Sequence, residues 1–229
     1  VAFRRDGWLW AASCAAHADA SRSARSALER HGIKPFEEFS QEEIRDRWGI
    51  DGLITGVLDR SCGSVDPAEL AFSLRRTALS LGVKIFEQTP MLSFSRQGKP
   101  RVTTPEGQVS AEHMVLAINA WIGRLPEFRS SILIAASELA VTDPVPDVID
   151  RMGWRDGPYV NDSRLMVGAL RALPDGRIIY GKGGGHFGFA GLVDARFDGP
   201  APRLDVMTEE FHRYSSHVRG LRPRHSWAG

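Results

Sequence analysis

The feature of this sequence that most restricts its folding is a helix with both ends written out. Asp66 is a residue that caps helices, and Glu69 follows in the first turn. Pro67 suits the first helical position, where its missing N–H would have had no partner anyway. Leu70, Leu74, Ala78 and Leu81 recur at helical spacing, and Gly82 supplies the stop. Strand-like segments follow at residues 83–87 and 91–95. Residues 102–104 and 108–110 read as a hairpin around Pro105-Glu106-Gly107. Residues 114–118 are uniformly apolar, as expected of a strand buried on both faces of a parallel sheet. Asn119-Ala120-Trp121 then leads into a short helix ending near Pro126. This centre reads as an α/β module.

The flanks have another texture. Residues 1–12 are strand-like with Arg5-Asp6-Gly7 at the tip, a hairpin signal. Residues 20–31 suit a helix ended by Gly32 and Pro35. Ser40-Gln41-Glu42-Glu43 is a capping box opening a helix that stops at Gly49, and residues 52–58 suit a strand. Residues 132–142 read as a long strand closed by Asp143-Pro144-Val145-Pro146. Residues 164–170 and 177–181 read as antiparallel neighbours joined at Pro174-Asp175-Gly176. A helix is expected over 205–218 and a strand over 224–229. Strands at both extremes need partners from elsewhere, so a piece of a longer protein is expected.

Composition narrows the function classes. At 229 residues the chain holds one large domain or two small ones. Its 29 basic and 28 acidic residues give no general attraction to nucleic acid or anionic membrane. No apolar run reaches the roughly 20 residues of a membrane span. Arg4, Arg5 and Asp6 break any apolar leader-like stretch, which makes a soluble cytoplasmic protein the expectation. Cys14 and Cys62 fit neither a zinc pattern nor a disulfide framework. His212 and His217 lie five apart and diverge on a helix, so no metal site is expected. No G-x-S-x-G elbow supports a serine hydrolase. The six tryptophans share no periodicity and suit an aromatic pocket or a core equally.

Two places invite a ligand. Ligands of open α/β sheets bind at the carboxyl ends of parallel strands, near a helix N-terminus. The turn after residue 118 has that character, and Ala117 and Ala120 are small enough to let a bulky anion approach the backbone. An ordinary turn with Asn119 as helix cap fits equally well. Secondly, Gly183, Gly185 and Gly188 match the G-x-G-x-x-G spacing. Gly191, Gly199, Pro200 and Pro202 break the helix that a true fingerprint opens. A glycine loop approaching a ligand and a plain surface turn both remain open.

Several motifs together carry a resemblance. Gly63-Ser64-Val65-Asp66-Pro67-Ala68-Glu69-Leu70 with Gly82-Val83-Lys84-Ile85-Phe86-Glu87 is one. Val115-Leu116-Ala117-Ile118-Asn119-Ala120-Trp121 is a second, and Asp162-Ser163-Arg164, Asp175-Gly176-Arg177 and Gly181-Lys182-Gly183-Gly184 form a third. His225-Ser226-Trp227-Ala228-Gly229 is the last. In these the chain resembles FAD-dependent oxidoreductases of the D-amino-acid oxidase superfamily, most closely the gamma-glutamylputrescine oxidase-like and glycine oxidase-like group. The family's N-terminal dinucleotide turn and its last flavin-contacting segment have no counterpart here, so the chain resembles the middle of such an enzyme.

The resemblance implies a mixed α/β (α+β) fold. A partial FAD/NAD(P)-binding Rossmann-like domain would be interleaved with an antiparallel-sheet substrate domain of D-amino-acid oxidase type. Residues 1–60 and 126–220 would belong to the substrate domain, 61–125 to the FAD-binding domain, and 221–229 would return to it. Met91, Ala117, Asn119, Ala120 and Trp121 would meet FAD. Arg171, Lys182 and Gly183 would face an amine or amino-acid substrate, and no catalytic residue is assigned. The implied chemistry is oxidation of a C–N bond by hydride transfer to flavin N5, with this chain inactive by itself. The alternative is a non-catalytic remnant, or a subunit completed by another chain or by oligomerisation.

Overall fold

The computed structural model describes residues 3–229. Val1 and Ala2, the start of the first expected strand, lie outside the described residues. The strands, in chain order, begin with β1 (Phe3–Arg4), β2 (Trp8–Ala12), β3 (Phe36–Ser40), β4 (Thr55–Asp59) and β5 (Ser64–Val65). The middle contributes β6 (Ser93–Ser95), β7 (Arg101–Thr104) and β8 (Gly107–Ser110). The remainder are β9 (Ala135–Thr142), β10 (Tyr159–Asp162), β11 (Gly168–Ala172), β12 (Ile178–Phe187) and β13 (Pro223–Ala228). The helices are α1 (Arg22–Glu29), α2 (Gln41–Trp48), α3 (Pro67–Ser80), α4 (Pro146–Met152) and α5 (Leu204–Tyr214).

Eight strands form one mixed sheet in the order β13-β9-β12-β11-β10-β2-β4-β3. All its pairings are antiparallel except β2 with β10. The main core lies on one face, where α2, α4 and α5 cover the sheet. Leu9, Val160, Leu170, Ile178 and Tyr180 meet Ile44, Trp48, Ile149, Met152, Met207 and Phe211 there. Tyr180 stacks on Phe211 with ring centroids 4.0 Å apart.

Several local signals hold as read. Ser40 accepts from the Glu43 N–H while the Glu43 carboxylate accepts from the Ser40 N–H, so the capping box of α2 forms in full. Gly49 ends that helix at φ +62. Asp66 accepts from the Glu69 N–H and Pro67 opens α3. The β7–β8 hairpin and the antiparallel β11–β12 pair also form as expected.

Several expectations fail for want of a partner. Arg5-Asp6-Gly7 does not make a hairpin: β1 pairs with β5, whereas β2 enters the large sheet between β10 and β4. Residues 83–87 form no strand, and of 91–95 only β6 does. Residues 114–118 also lie outside any strand, and Val115 is 87% exposed. A central parallel strand needs hydrogen-bonding neighbours on both sides, and nothing among the described residues supplies them. Asn119 does not cap the following 3₁₀ turn, for it takes φ +46 within it. The run 181–185 is not a loop but part of β12, which bulges between Gly183 and Phe187. The short helix α4, opened by Pro146, has no counterpart in the sequence expectations.

Candidate active site

Alternation along strands gives the sheet a second face. The register places Trp8, Trp10, Tyr159, Asn161, Ala169, Arg171, Ile179 and Leu139 together there, opposite the helix-covered core. Trp8 and Trp10 stack with centroids 5.4 Å apart. Trp48 and Trp154, by contrast, are buried on the helix side, and Trp121 and Trp227 are exposed.

A cavity of about 650 Å³ opens on this second face, beneath β1, β5 and the start of α3. Its walls include Arg4, Ser64, Leu139, Tyr159, Arg171 and Ile179. Arg171 Nη2 donates to Asp6 Oδ2 at 3.1 Å, and Ser64 Oγ donates to the same carboxylate. One buried aspartate thereby ties β11 to the β1–β2 junction and to β5. Burial pushes the Arg171 guanidinium below its ordinary value; Asp6 opposes this and Arg4 adds to it. Arg171 Nε is buried with no hydrogen-bond partner. Arg171 thus brings to the cavity wall a guanidinium that is not fully hydrogen-bonded.

Lys182 does not share this cavity. It stands on the helix side, because Gly168 pairs with Lys182 while Arg171 pairs with Ile179. Its Nζ donates to both oxygens of Glu210 at 2.9 and 2.8 Å. Glu210 also accepts from Arg164 Nη2, and Arg164 Nε donates to Asp162 at 2.5 Å. These ion pairs anchor the 163–167 loop to α5. Gly183 lies in β12 against the backbone of Met166 and Val167.

The residues expected at FAD lie on a separate, open stretch. Met91 and Ala120 are half-buried, Ala117 and Asn119 exposed, and Trp121 is 50% exposed. The 3₁₀ turn carrying Trp121 is seated by close packing of Gly123, whose Cβ would stand 2.7 Å from the Gly191 carbonyl oxygen. On α3, Phe72 and Leu74 are exposed, 61% in the case of Leu74, as is Leu81 just after its end. Sequence reasoning missed Asp6, Tyr159 and Asn161. The spacing of Trp8 with Trp10 and of Tyr159 with Asn161 put each pair on one strand face, but their pairing is long-range.

The model of the FAD dependent oxidoreductase family, DAO, matches residues 1–229. This chain belongs to that family. A probable oxidoreductase OrdL from Haemophilus influenzae is 24% identical over 164 residues, covering 69% of this chain and 38% of that protein. The gamma-glutamylputrescine oxidoreductase of Escherichia coli is 25% identical over 157 residues, 68% of this chain and 37% of its own length. The fold matches L-proline dehydrogenase from P. horikoshii with a TM-score of 0.79 at 19% identity, over 100% of this chain and 60% of that one. The chain thus spans well under half of these curated relatives and about three fifths of that solved structure.

The DAO family is FAD dependent, and the residues present fit that cofactor in part. The second sheet face and the open stretch around Trp121 offer planar, apolar and backbone surface. The one G-x-G-x-x-G spacing, Gly183 to Gly188, is spent within and just after β12 and opens no α-helix. Among the described residues no phosphate-anchoring turn is formed. Nor do three His, Cys, Asp or Glu side chains among them gather to hold a metal ion. Among the described residues no helix is long and apolar enough to cross a membrane.

Proposed function

We propose that this chain is the substrate-side portion of an FAD-dependent oxidoreductase that oxidises a C–N bond of an amine or amino acid. The observation that carries this is the sheet face turned away from the helices, where a cavity of about 650 Å³ is lined by Arg171, whose buried Nε has no hydrogen-bond partner. Arg171 would orient an acidic group of the substrate, as Lys182 cannot while paired with Glu210. Leu139 and Ile179 would exclude water. Met91, Ala117, Asn119, Ala120 and Trp121 would lie along the dinucleotide. FAD, when bound, supplies the two-electron chemistry by accepting a hydride at N5.

The isolated chain is proposed to be inactive, because among the described residues no glycine-rich turn opens a helix that would hold an anionic pyrophosphate. The exposed apolar side of α3 supports completion of the site by further polypeptide, from the same reading frame or from a second chain. The test is preparative. The isolated chain should purify colourless and turn over no amine, whereas the product of the surrounding reading frame should purify yellow and oxidise an amine or amino acid. Flavin bound tightly by the isolated chain overturns the inactive reading, and absence of flavin from both preparations overturns the whole.

A further inference from the structure

A second cavity, of about 320 Å³, shares no residue with the first. It lies over the β2–β4–β3 end of the sheet, beneath residues 18–25 at the start of α1. Trp10 pairs with Val57 and Val57 with Glu38, so alternation puts these three side chains in one row across three strands. Trp8 stacks on Trp10 but does not line this cavity, so the cavity meets the side of the Trp10 indole that Trp8 leaves free. Ala12 and Ala18 are small enough to keep that side open.

Ser21 stands just before α1 and is only 8% exposed. Serine at that place ordinarily caps the helix, yet this side chain accepts from no helical N–H. Among the described residues its hydroxyl has no partner, and it lines the cavity. A buried hydroxyl without a partner is costly, so the site calls for a polar occupant. That occupant need not be charged. Glu38 accepts from Arg25, and Asp19 accepts from Arg22 at 2.5 Å, so each carboxylate at the cavity already holds a guanidinium. Arg25 spends only Nη2 on that pair, and Glu38 only Oε1. What remains is a mixture of N–H donors and oxygen acceptors of no net sign, which a set of neutral hydroxyls satisfies and a single ion does not.

We propose that this cavity binds a neutral polyhydroxylated ring of hexose size, with its C–H face on the Trp10 indole and its hydroxyls on Ser21, Arg25 and Glu38. The ring quadrupole places negative charge on the indole face, which suits the weakly positive C–H groups of such a ring and leaves its hydroxyls to the polar side chains. At this volume the cavity is at the small end of ligand sites, matched to one ring rather than to a chain. The site stands apart from the flavin reading, for none of its residues is placed at FAD or at the amine substrate.

The test is calorimetric titration of the 229-residue chain with glucose, galactose and myo-inositol, and with butylammonium and butyrate as charged probes. At least one of the three polyols is expected to bind, in about the millimolar range, and neither ion to bind as well. Ser21→Ala should weaken that binding by roughly three- to tenfold, the scale of one neutral hydrogen bond. Ala18 is exposed at the cavity's rim, so Ala18→Leu should fill the cavity without disturbing the core, and abolish binding. Trp10→Leu removes the stacking face and should weaken binding by more than Ser21→Ala does. Circular dichroism checks that each variant is folded; if Trp10→Leu is not, the other two decide. Failure of all three polyols to bind, tighter binding of either ion, or unchanged affinity in any folded variant overturns the proposal.

Discussion

The hydroxyl of Tyr214 donates to Asp162 Oδ2 at 2.6 Å across 52 residues of sequence, joining the end of α5 to the end of β10. Asp162 also accepts from the Gly168 N–H and from Arg164, with its side chain fully buried. Tyr214→Phe is expected to cost about 1–2 kcal/mol, the scale of one buried hydrogen bond. Asp162→Ala should cost about 3–5 kcal/mol, because it leaves Arg164 Nε, the Tyr214 hydroxyl and the amides of Arg164 and Gly168 without their acceptor. Urea denaturation of the two variants checks the order.

Gly168 lies directly beneath that hydroxyl, and a Cβ there would overlap it. Gly168→Ala should therefore destabilise strongly in the unaltered chain. In the Tyr214→Phe background its additional cost should shrink, since the clashing oxygen is gone. A double-mutant cycle with additive effects would refute this account.

Glu210 gives a pH dependence. Burial by itself raises its carboxyl, but Lys182 and Arg164 outweigh burial and hold it below the ordinary 4.5. A carboxyl depressed by folding contributes stability above its unfolded value, and that contribution is lost as pH falls through the folded value. Unfolding free energy should therefore decline as pH drops below about 4.5 and on through the depressed value. Glu210→Gln should be less stable at neutral pH and flatter over this acid range, as thermal denaturation across pH will show.

Gly49 and Gly82 both end helices in the left-handed region, at φ +62 and +83. At Gly49 a Cβ would stand 2.9 Å from Met152 Cα, whereas at Gly82 it would meet nothing within 4 Å. Gly82→Ala should cost about 1 kcal/mol for conformation alone, and Gly49→Ala clearly more. Equal melting temperatures for the two would contradict the packing argument.

Leu74 and Leu9 test which surfaces are covered. Leu9 is fully buried between sheet and helices, whereas Leu74 is 61% exposed on α3. Leu9→Ala should cost about 2–5 kcal/mol, and Leu74→Ala in the isolated chain within about 0.5 kcal/mol. A large loss at Leu74 would mean that α3 already packs against something.

Local chemistry was legible in advance. The Ser40 box, the Asp66 cap, the Pro105-Glu106-Gly107 turn and the glycine stops each depend on atoms a few residues apart. The family, too, was legible from motifs spread along most of the chain. Residues 114–118 were not: their apolar run suits a buried strand, but a strand exists only when another backbone accepts its hydrogen bonds. The stretch at 181–188 misled in the opposite sense. Its glycines suggested a loop, yet Leu139 and Glu138 of β9 pair with Gly181 and Lys182 and draw it into the sheet.

Sequence by itself determined the caps of α2 and α3, the β7–β8 turn and which family the chain resembles. The fold decided which side of the sheet each strand residue faces. Arg171 and Lys182 were both expected to face a substrate, and register put them on opposite faces, one at a cavity and the other locked to Glu210. It also brought Trp8 to Asn161 across 153 residues. Capping and turn formation are short-range and survive in an isolated segment. Facing and pairing follow from a two-residue alternation whose phase is fixed only when strands far apart in the chain meet.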